Sequence, residues 1–552
     1  MEQSRINKSM RNTAVGMTGT LLNLIFQFIA RAVFVRLLGE AFNGVNGLFT
    51  SILQVLNLAE LGFASAISFA LYKPLKEENQ ETAAAYMNYF AFVYRMIAIV
   101  VAVAGAICIP FLQYLIADDW SELPFTINQL RIYFVFYLAN TVCSYLLAYK
   151  RTIITADQKI YITSLSDNLS SIILSVVQII LLLITKNYFA FLAIMVARTI
   201  INNTIIHIIA SKKYPYLATY RKAKLTKAQK EGLFQNIGAL MLHRVGTVVI
   251  FGVVSIIISA MISVEASGIY SNYITIITGV DTFINIIFNS ILASVGNYCV
   301  DASEEDKARI FRKIDFIGAW ISIFSMVCFI NIFNTFIDNV WMGEGHTFEF
   351  YIVIIISVSA YTSYLRKAVN VFKDAMGFFK KDWYKPVINV VVGIGLAILF
   401  GKLWGLFGIV LAFAMVPLFI SMPIEIVVTF KYGFNRKCGK YMLIQYLRTI
   451  FALAFGVGLY YLCNLFKLSG IADFIVRAVL SIVLSNVILL LINIKDEDFK
   501  YYVRLAKEII IKIKNKQTRK QQLVENMDVS SAKELSEESE ENNDENTEEQ
   551  TK

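Results

Sequence analysis

For most of its length the chain alternates apolar runs with short polar connectors, and about 20 predominantly apolar residues are what a helix needs to cross a bilayer. Fourteen runs qualify: Thr13–Leu37, Val45–Tyr72, Ala84–Ile116, Leu130–Ala148, Ile160–Ile184, Tyr188–Ala210, Ile237–Ala260, Ser267–Tyr298, Ile314–Trp341, Phe348–Leu365, Val387–Phe400, Leu403–Phe430, Met442–Phe466 and Ile471–Ile494. The eleventh is the shortest. Packed this closely, the runs leave no room for a soluble domain between them, so the expected fold class is all-α: a polytopic membrane protein of 14 transmembrane helices.

Polar positions inside four of these runs are patterned. Thr20, Asn23, Gln27 and Arg31 in run 1 recur at three- and four-residue steps, which puts them on one helical face. Gln54, Asn57 and Ser68 share a face of run 2, with Glu60 at its margin. Arg244, Thr247, Ser255 and Ser259 align in run 7, as do Thr278, Asp281, Asn285 and Asn289 in run 8. Such stripes either line a wet cavity or join helices by hydrogen bonds within the membrane.

Runs 1–2 and 7–8 each open a set of six, which points to two six-helix bundles related as a parallel repeat around a central cavity. The expected organisation is then an N-terminal bundle (1–210), a basic linker (211–236), a second bundle (237–436) and two added helices (437–494). A basic amphipathic juxtamembrane helix (495–520) and an acidic disordered tail (521–552) follow.

Charge supplies an orientation. With the N-terminus inside, 40 of the 51 Lys and Arg residues fall on cytoplasmic segments and four on outer connectors, the other seven being arginines within runs. This alternation is the positive-inside pattern with both termini cytoplasmic. The net +10 divides into +19 for residues 1–520 and −9 for the tail. It reports membrane topology and gives no reason to expect nucleic acid as a partner.

Composition agrees. Hydrophobic residues make up 57% of the 552 and charged residues 17%, with only seven prolines and a mean hydropathy of +0.59. A soluble enzyme or a disulfide scaffold normally carries about 25% charge or a dense cysteine framework. Here six scattered cysteines and three scattered histidines offer no metal-ligand spacing, and no P-loop, GxGxxG turn or GxSxG elbow occurs. No catalytic residue, metal site or cofactor is therefore expected, and the chain is not read as an enzyme.

If Arg31, Arg95 and Arg244 converge, the cavity is net cationic against Glu60 and Asp281, with Asn23, Gln27, Gln54, Asn57, Asn285 and Asn289 as polar lining. Arginine forks suit phosphate oxygens, so an amphiphile with an anionic head fits. Glu60 and Asp281 are the candidate groups for coupling to a proton or sodium ion.

Several motifs carry a resemblance. RAVFVRLLGEAFNGVNGLFTSILQVLNLAELGFASAISFALYKPL (31–75), GIYSNY (268–273), ASVGNY (293–298), DAMGFFKKDWYKP (374–386) and GLFGIV (405–410) occur in an order and spacing similar to the Wzx-type polysaccharide flippases of the multidrug/oligosaccharidyl-lipid/polysaccharide (MOP) exporter superfamily, which also contains MATE transporters. The resemblance covers most of residues 1–435. It implies a fourteen-helix transporter in the bacterial cytoplasmic membrane that flips an undecaprenyl-diphosphate-linked oligosaccharide repeat for capsule or exopolysaccharide. Membrane lipids, a polysaccharide polymerase and glycosyltransferases are the implied partners. By position it adds Arg36 to the cavity-lining residues. Where relatives carry an acid in the middle of span 7, this chain reads VVIFGVVSIIIS (248–259). Rival readings are a multidrug or cation antiporter of the same superfamily, a lipid II flippase and, from another class, a membrane glycosyltransferase or polymerase. The last needs larger outer loops than Asp118–Gln129 and Asn339–Glu349 provide.

Overall fold

The computed structural model describes residues 2–57, 63–231, 233, 252–378, 381–508 and 511. They form helices joined by short turns, with no strand among them. In chain order the long helices are α1 (Glu2–Leu38), α2 (Glu40–Leu56), α3 (Phe63–Lys76), α4 (Gln80–Cys108), α5 (Ile127–Ala156), α6 (Ile160–Thr185), α7 (Tyr188–Lys213), α8 (Gly252–Met261) and α9 (Val264–Asp301). There follow α10 (Glu304–Phe336), α11 (Phe350–Leu365), α12 (Lys367–Ala375), α13 (Lys385–Val416), α14 (Met422–Gly433), α15 (Gly439–Asn464) and α16 (Gly470–Asn493).

Among the described residues, 11 helical stretches are long and apolar enough to span a membrane. One of them, Lys385–Gly433, covers two of the fourteen sequence runs. Run 2 corresponds to α2 and α3 on either side of residues 58–62, which lie outside the described residues, and run 7 is described only over α8. The count is thus consistent with fourteen. Large apolar side chains such as Ile99, Val103 and Ile107 on α4 are more than half exposed, a surface suited to lipid rather than water.

Local chemistry explains the helix boundaries. Thr126 and Gln129 form a reciprocal capping box at the start of α5. Ser303 caps α10, and Glu304, Glu305 and Asp306 occupy its first turn, where the helix dipole favours acids. The break between runs 11 and 12, expected around residues 401–402, falls at Gly405. Its φ of +60° and ψ of −139° interrupt the helix in a conformation that side-chain-bearing residues rarely adopt.

By backbone contacts the chain forms two compact units, residues 1–485 and 486–552. Within the second unit, helix 497–508 begins the segment expected to be amphipathic; most of that segment beyond it, and the acidic tail, lie outside the described residues. Within the first unit α1 packs on α6, α5 on α4 and α7, α10 on α11 and α15, and α2 runs along α9.

The α2–α9 crossing is the tightest junction. A Cβ on Gly44 would sit 1.8 Å from the Val264 carbonyl oxygen, and one on Gly268 would sit 2.3 Å from the Glu40 carbonyl oxygen. Only glycine lets the two backbones meet at this distance. Residues after α4 reinforce the junction: the Ala117 N–H donates to the Ser259 carbonyl (3.0 Å), Ser259 Oγ to the Leu115 carbonyl (2.8 Å), and the Val264 N–H to Asp118 Oδ2 (2.7 Å).

Candidate functional site

Two features meet along α1. The first is a cavity of about 770 Å³ between α1, α9 and α10, closed at one edge by Trp341 and Phe474. Its walls are apolar, built from residues such as Ile25, Phe28, Val280 and Phe333, and Arg36 is the one charged residue among them. Arg36 donates from Nε to the Met342 carbonyl (3.1 Å) and from Nη2 to the Trp341 carbonyl (2.9 Å). Trp341 Nε1 donates in turn to the Phe28 carbonyl (2.7 Å). The loop after α10 is thereby tied to α1, with a guanidinium at the end of a greasy groove.

The second feature is a buried polar seam where the Gly39 turn, at φ +91°, leads from α1 into α2. Glu40 is 5% exposed, Asn43 1% and Asn272 0%. Asn272 Nδ2 donates to Glu40 Oε1 (2.7 Å), Asn43 Nδ2 donates to Glu40 Oε2 (2.7 Å), and His346 Nδ1 lies 2.8 Å from Glu40 Oε1. Arg31 Nε donates to Asn272 Oδ1 (3.2 Å) and its Nη2 to Ser271 Oγ. Asn43 also donates to the Gly268 carbonyl (2.9 Å). Residues 225 to 306 positions apart thus share one network. A buried carboxylate needs such partners, because a charge left unpaired in a low-dielectric interior is costly.

The residues singled out from sequence separate into groups. Arg31 and Arg36 stand together on α1, one in the seam and one in the groove. Asn23 and Gln27, on the same stripe, turn toward α6: Gln27 donates to Asn23 Oδ1 (3.3 Å), which also accepts from Ser171 Oγ (2.5 Å). Asp281 and Asn285 form a cluster with Lys367 of α12, whose Nζ is 3.0 Å from Asp281 Oδ1 and also donates to Asn285. Gln54, Arg95 and Asn289 are exposed. Asn57 is half-buried, and its Oδ1 has no hydrogen-bond partner among the described residues. Glu60 and Arg244 lie outside the described residues.

Sequence reasoning missed Glu40, Asn43, Asn272 and His346. Glu40 follows a glycine in a connector, which reads as a solvated position, and His346 has no neighbour in the sequence to mark it. Two of the quoted motifs carried a signal: GEAFNG holds Glu40 and Asn43, and GIYSNY holds Asn272.

Comparison with known proteins gives a family match over residues 9–293 to a family described as polysaccharide biosynthesis protein. No curated protein matches the sequence. Solved structures share the fold at low identity. The lipid II flippase MurJ in an inward closed conformation is 14% identical, with a TM-score of 0.60 over 88% of this chain and 100% of that one. An inward-facing multidrug resistance MATE family transporter of the MOP superfamily is 14% identical, with a TM-score of 0.57 over 76% of this chain and 96% of its own. The eukaryotic MATE transporter AtDTX14 is 12% identical, with a TM-score of 0.52 over 80% and 99%. These likenesses establish a multi-pass transporter fold.

Proposed function

We propose, for a chain that belongs to the polysaccharide biosynthesis protein family, that it flips a lipid-linked oligosaccharide across the bacterial cytoplasmic membrane by alternating access. The observation that carries this reading is the α1–α9–α10 groove. Its apolar walls suit a polyprenyl chain left in lipid, and the Arg36 guanidinium at its end suits the oxygens of a diphosphate. The cargo class is an undecaprenyl-diphosphate-linked repeat unit, supplied by glycosyltransferases and consumed by a polysaccharide polymerase.

The basic connectors support cytoplasmic termini. In that orientation the Glu40–Asn272 seam closes the outer side, and a substrate enters from the inner leaflet. Breaking the seam and rocking the two halves apart would present the head outside.

A cation exporter is the weaker rival. Its lumen wants unpaired acids, whereas the groove carries an arginine and Asp281 is already bridged to Lys367. A lipid II flippase requires the same diphosphate chemistry and differs only in the sugar.

The test is complementation of a strain lacking its own repeat-unit flippase. Wild-type protein restores surface polymer, Arg36→Gln lowers it about tenfold or more by removing a charge-assisted contact, and Arg36→Lys retains part of the output. Wild-type levels of polymer from Arg36→Gln would refute the groove as the path. Rescue of a lipid II flippase deficiency, with no rescue of capsule, would reassign the sugar.

A further inference from the structure

A second cavity, of about 460 Å³, lies inside the first half between α5 and α7, with Tyr94 of α4 on its wall, and plays no part in the groove or the seam. Its lining is polar. Two arginines, Arg151 of α5 and Arg198 of α7, reach it together with Asn140, Ser144, Thr199 and Asn202.

The two arginines are held differently. Arg151 makes a bidentate pair with Asp167 of α6, Nη1–Oδ2 2.5 Å and Nη2–Oδ1 2.7 Å. Asn202 Nδ2 adds a bond to the same carboxylate (2.7 Å), and Ser166 Oγ orients Asn202 by donating to its Oδ1 (2.8 Å). Asp167 is therefore committed. Arg198 has a neutral partner, donating from Nη2 to Ser171 Oγ (2.7 Å). Asp167 lies within its electrostatic reach, yet both carboxylate oxygens are already engaged. Two guanidiniums against one carboxylate leave one surplus positive charge at the pocket.

A surplus guanidinium within a membrane-spanning helix is costly unless a cavity or an anion receives it. The neighbours are also suited to a ligand. Thr199 Oγ1 donates to Asn140 Oδ1 (2.6 Å), which fixes the amide so that its N–H donors remain for another acceptor. Amides and hydroxyls that both donate and accept are the groups that match sugar hydroxyls. An arginine fork matches a planar or tetrahedral oxyanion.

We propose that this pocket binds an acidic saccharide: one sugar ring whose carboxylate or phosphate sits on Arg198, with its hydroxyls on Asn140, Ser144 and Thr199. The proposal rests on the flippase reading for its biological role, since it places sugar recognition in the first half, apart from the diphosphate and lipid contacts along α1. Arg151 and Asp167 act as positioning residues that hold Asn202.

The test titrates purified full-length protein in lipid nanodiscs with four probes: glucuronic acid, N-acetylglucosamine 1-phosphate, neutral N-acetylglucosamine and inorganic phosphate. Saturation-transfer NMR reads the three sugars, and inorganic phosphate, which has no carbon-bound protons, is read by its competition against the sugar phosphate. Glucuronic acid or the sugar phosphate should bind about tenfold or more tighter than the neutral sugar, and whichever is tighter identifies carboxylate or phosphate as the anion. Arg198→Gln should remove that preference while leaving the weak binding of the neutral sugar, and Arg198→Lys should restore part of it. Asn140→Ala should weaken both sugars alike, and circular dichroism confirms that each variant is folded. Equal binding of all three sugars, or inorganic phosphate binding as tightly as the sugar phosphate, would overturn the proposal, as would an Arg198→Gln protein that keeps the preference. Loss of this binding alongside intact polymer rescue would leave the flippase reading standing. Intact binding without rescue would leave the pocket and remove the flippase.

Discussion

Gly44→Ala is the smallest change that should separate the two helices of the seam. The new methyl would fall 1.8 Å from the Val264 carbonyl oxygen, against the 3.4 Å or more of ordinary contact. That neighbour is backbone, so no side chain can swing aside. α2 and α9 must move apart locally by at least about 1.6 Å, which stretches the Asn43 and Asn272 hydrogen bonds that run beside the contact. Overpacking of this kind costs about 1–3 kcal/mol, paid only while the seam is closed, and so shifts the closed–open equilibrium roughly 5- to 150-fold.

The geometry also supplies the assay. An ideal Cβ on Gly47 lies 3.8 Å from Ser271 Cβ, within the roughly 3.5–4.5 Å that a disulfide spans. In a background with the six native cysteines replaced, Gly47→Cys with Ser271→Cys should cross-link rapidly in membranes and arrest transport until reduced. Adding Gly44→Ala should slow that cross-linking by the stated factor. Gly296→Ala, where nothing lies within 4 Å of the new methyl, should leave it unchanged. Equal cross-linking rates for Gly44→Ala and its parent would refute the backbone-contact reasoning.

Other expectations follow from the same coordinates. Glu40→Gln replaces one acceptor oxygen with an NH₂ that faces the donor amides of Asn43 and Asn272; losing a hydrogen bond to a charged group costs about 1.5–3 kcal/mol, so the same disulfide should form about tenfold or more slowly. Glu425 accepts Arg366 in a bidentate pair (2.6 and 2.7 Å) and Lys385 (2.6 Å) at a site where the carboxylate is 1% exposed. Glu425→Ala strands the Arg366 guanidinium, while Lys385 keeps Asp382 (3.0 Å), and should destabilise the purified protein by about 3–5 kcal/mol, read as a lowered thermal transition; an unmoved transition would show that Arg366 finds water. Tyr273 Oη bridges the Asn334 side chain and the Phe348 N–H (2.7 and 2.8 Å). Tyr273→Phe should therefore loosen the loop after α10 and raise hydrogen exchange at Phe348, while leaving the helices intact.

Much of the architecture was readable without coordinates. Membrane insertion acts on one segment at a time, so the spans around α4, α5, α6, α7 and α10 follow from apolar length alone, and the turn chemistry of Thr126 or Ser303 is equally local. The periodicity of Asn23, Gln27 and Arg31 sets them at four-residue steps along α1. What periodicity could not say is what each of them meets. In the structure the stripe divides, with Asn23 bonded to α6 and Arg31 to α9.

Glu40 shows the limit most clearly. Beside Gly39 in a connector it has the pattern of a solvated acid, and it becomes a buried keystone only because Asn272 and His346 arrive from 232 and 306 residues away. The second pocket is similar: Arg198 was visible as a charge inside a span, but its surplus exists only because Asp167 is already bound by Arg151 and Asn202. Where helices lie along the chain is decided by local burial and backbone hydrogen bonding. Which polar groups end up sharing a dry space is decided by the approach of helix faces distant in sequence, and no local period encodes that.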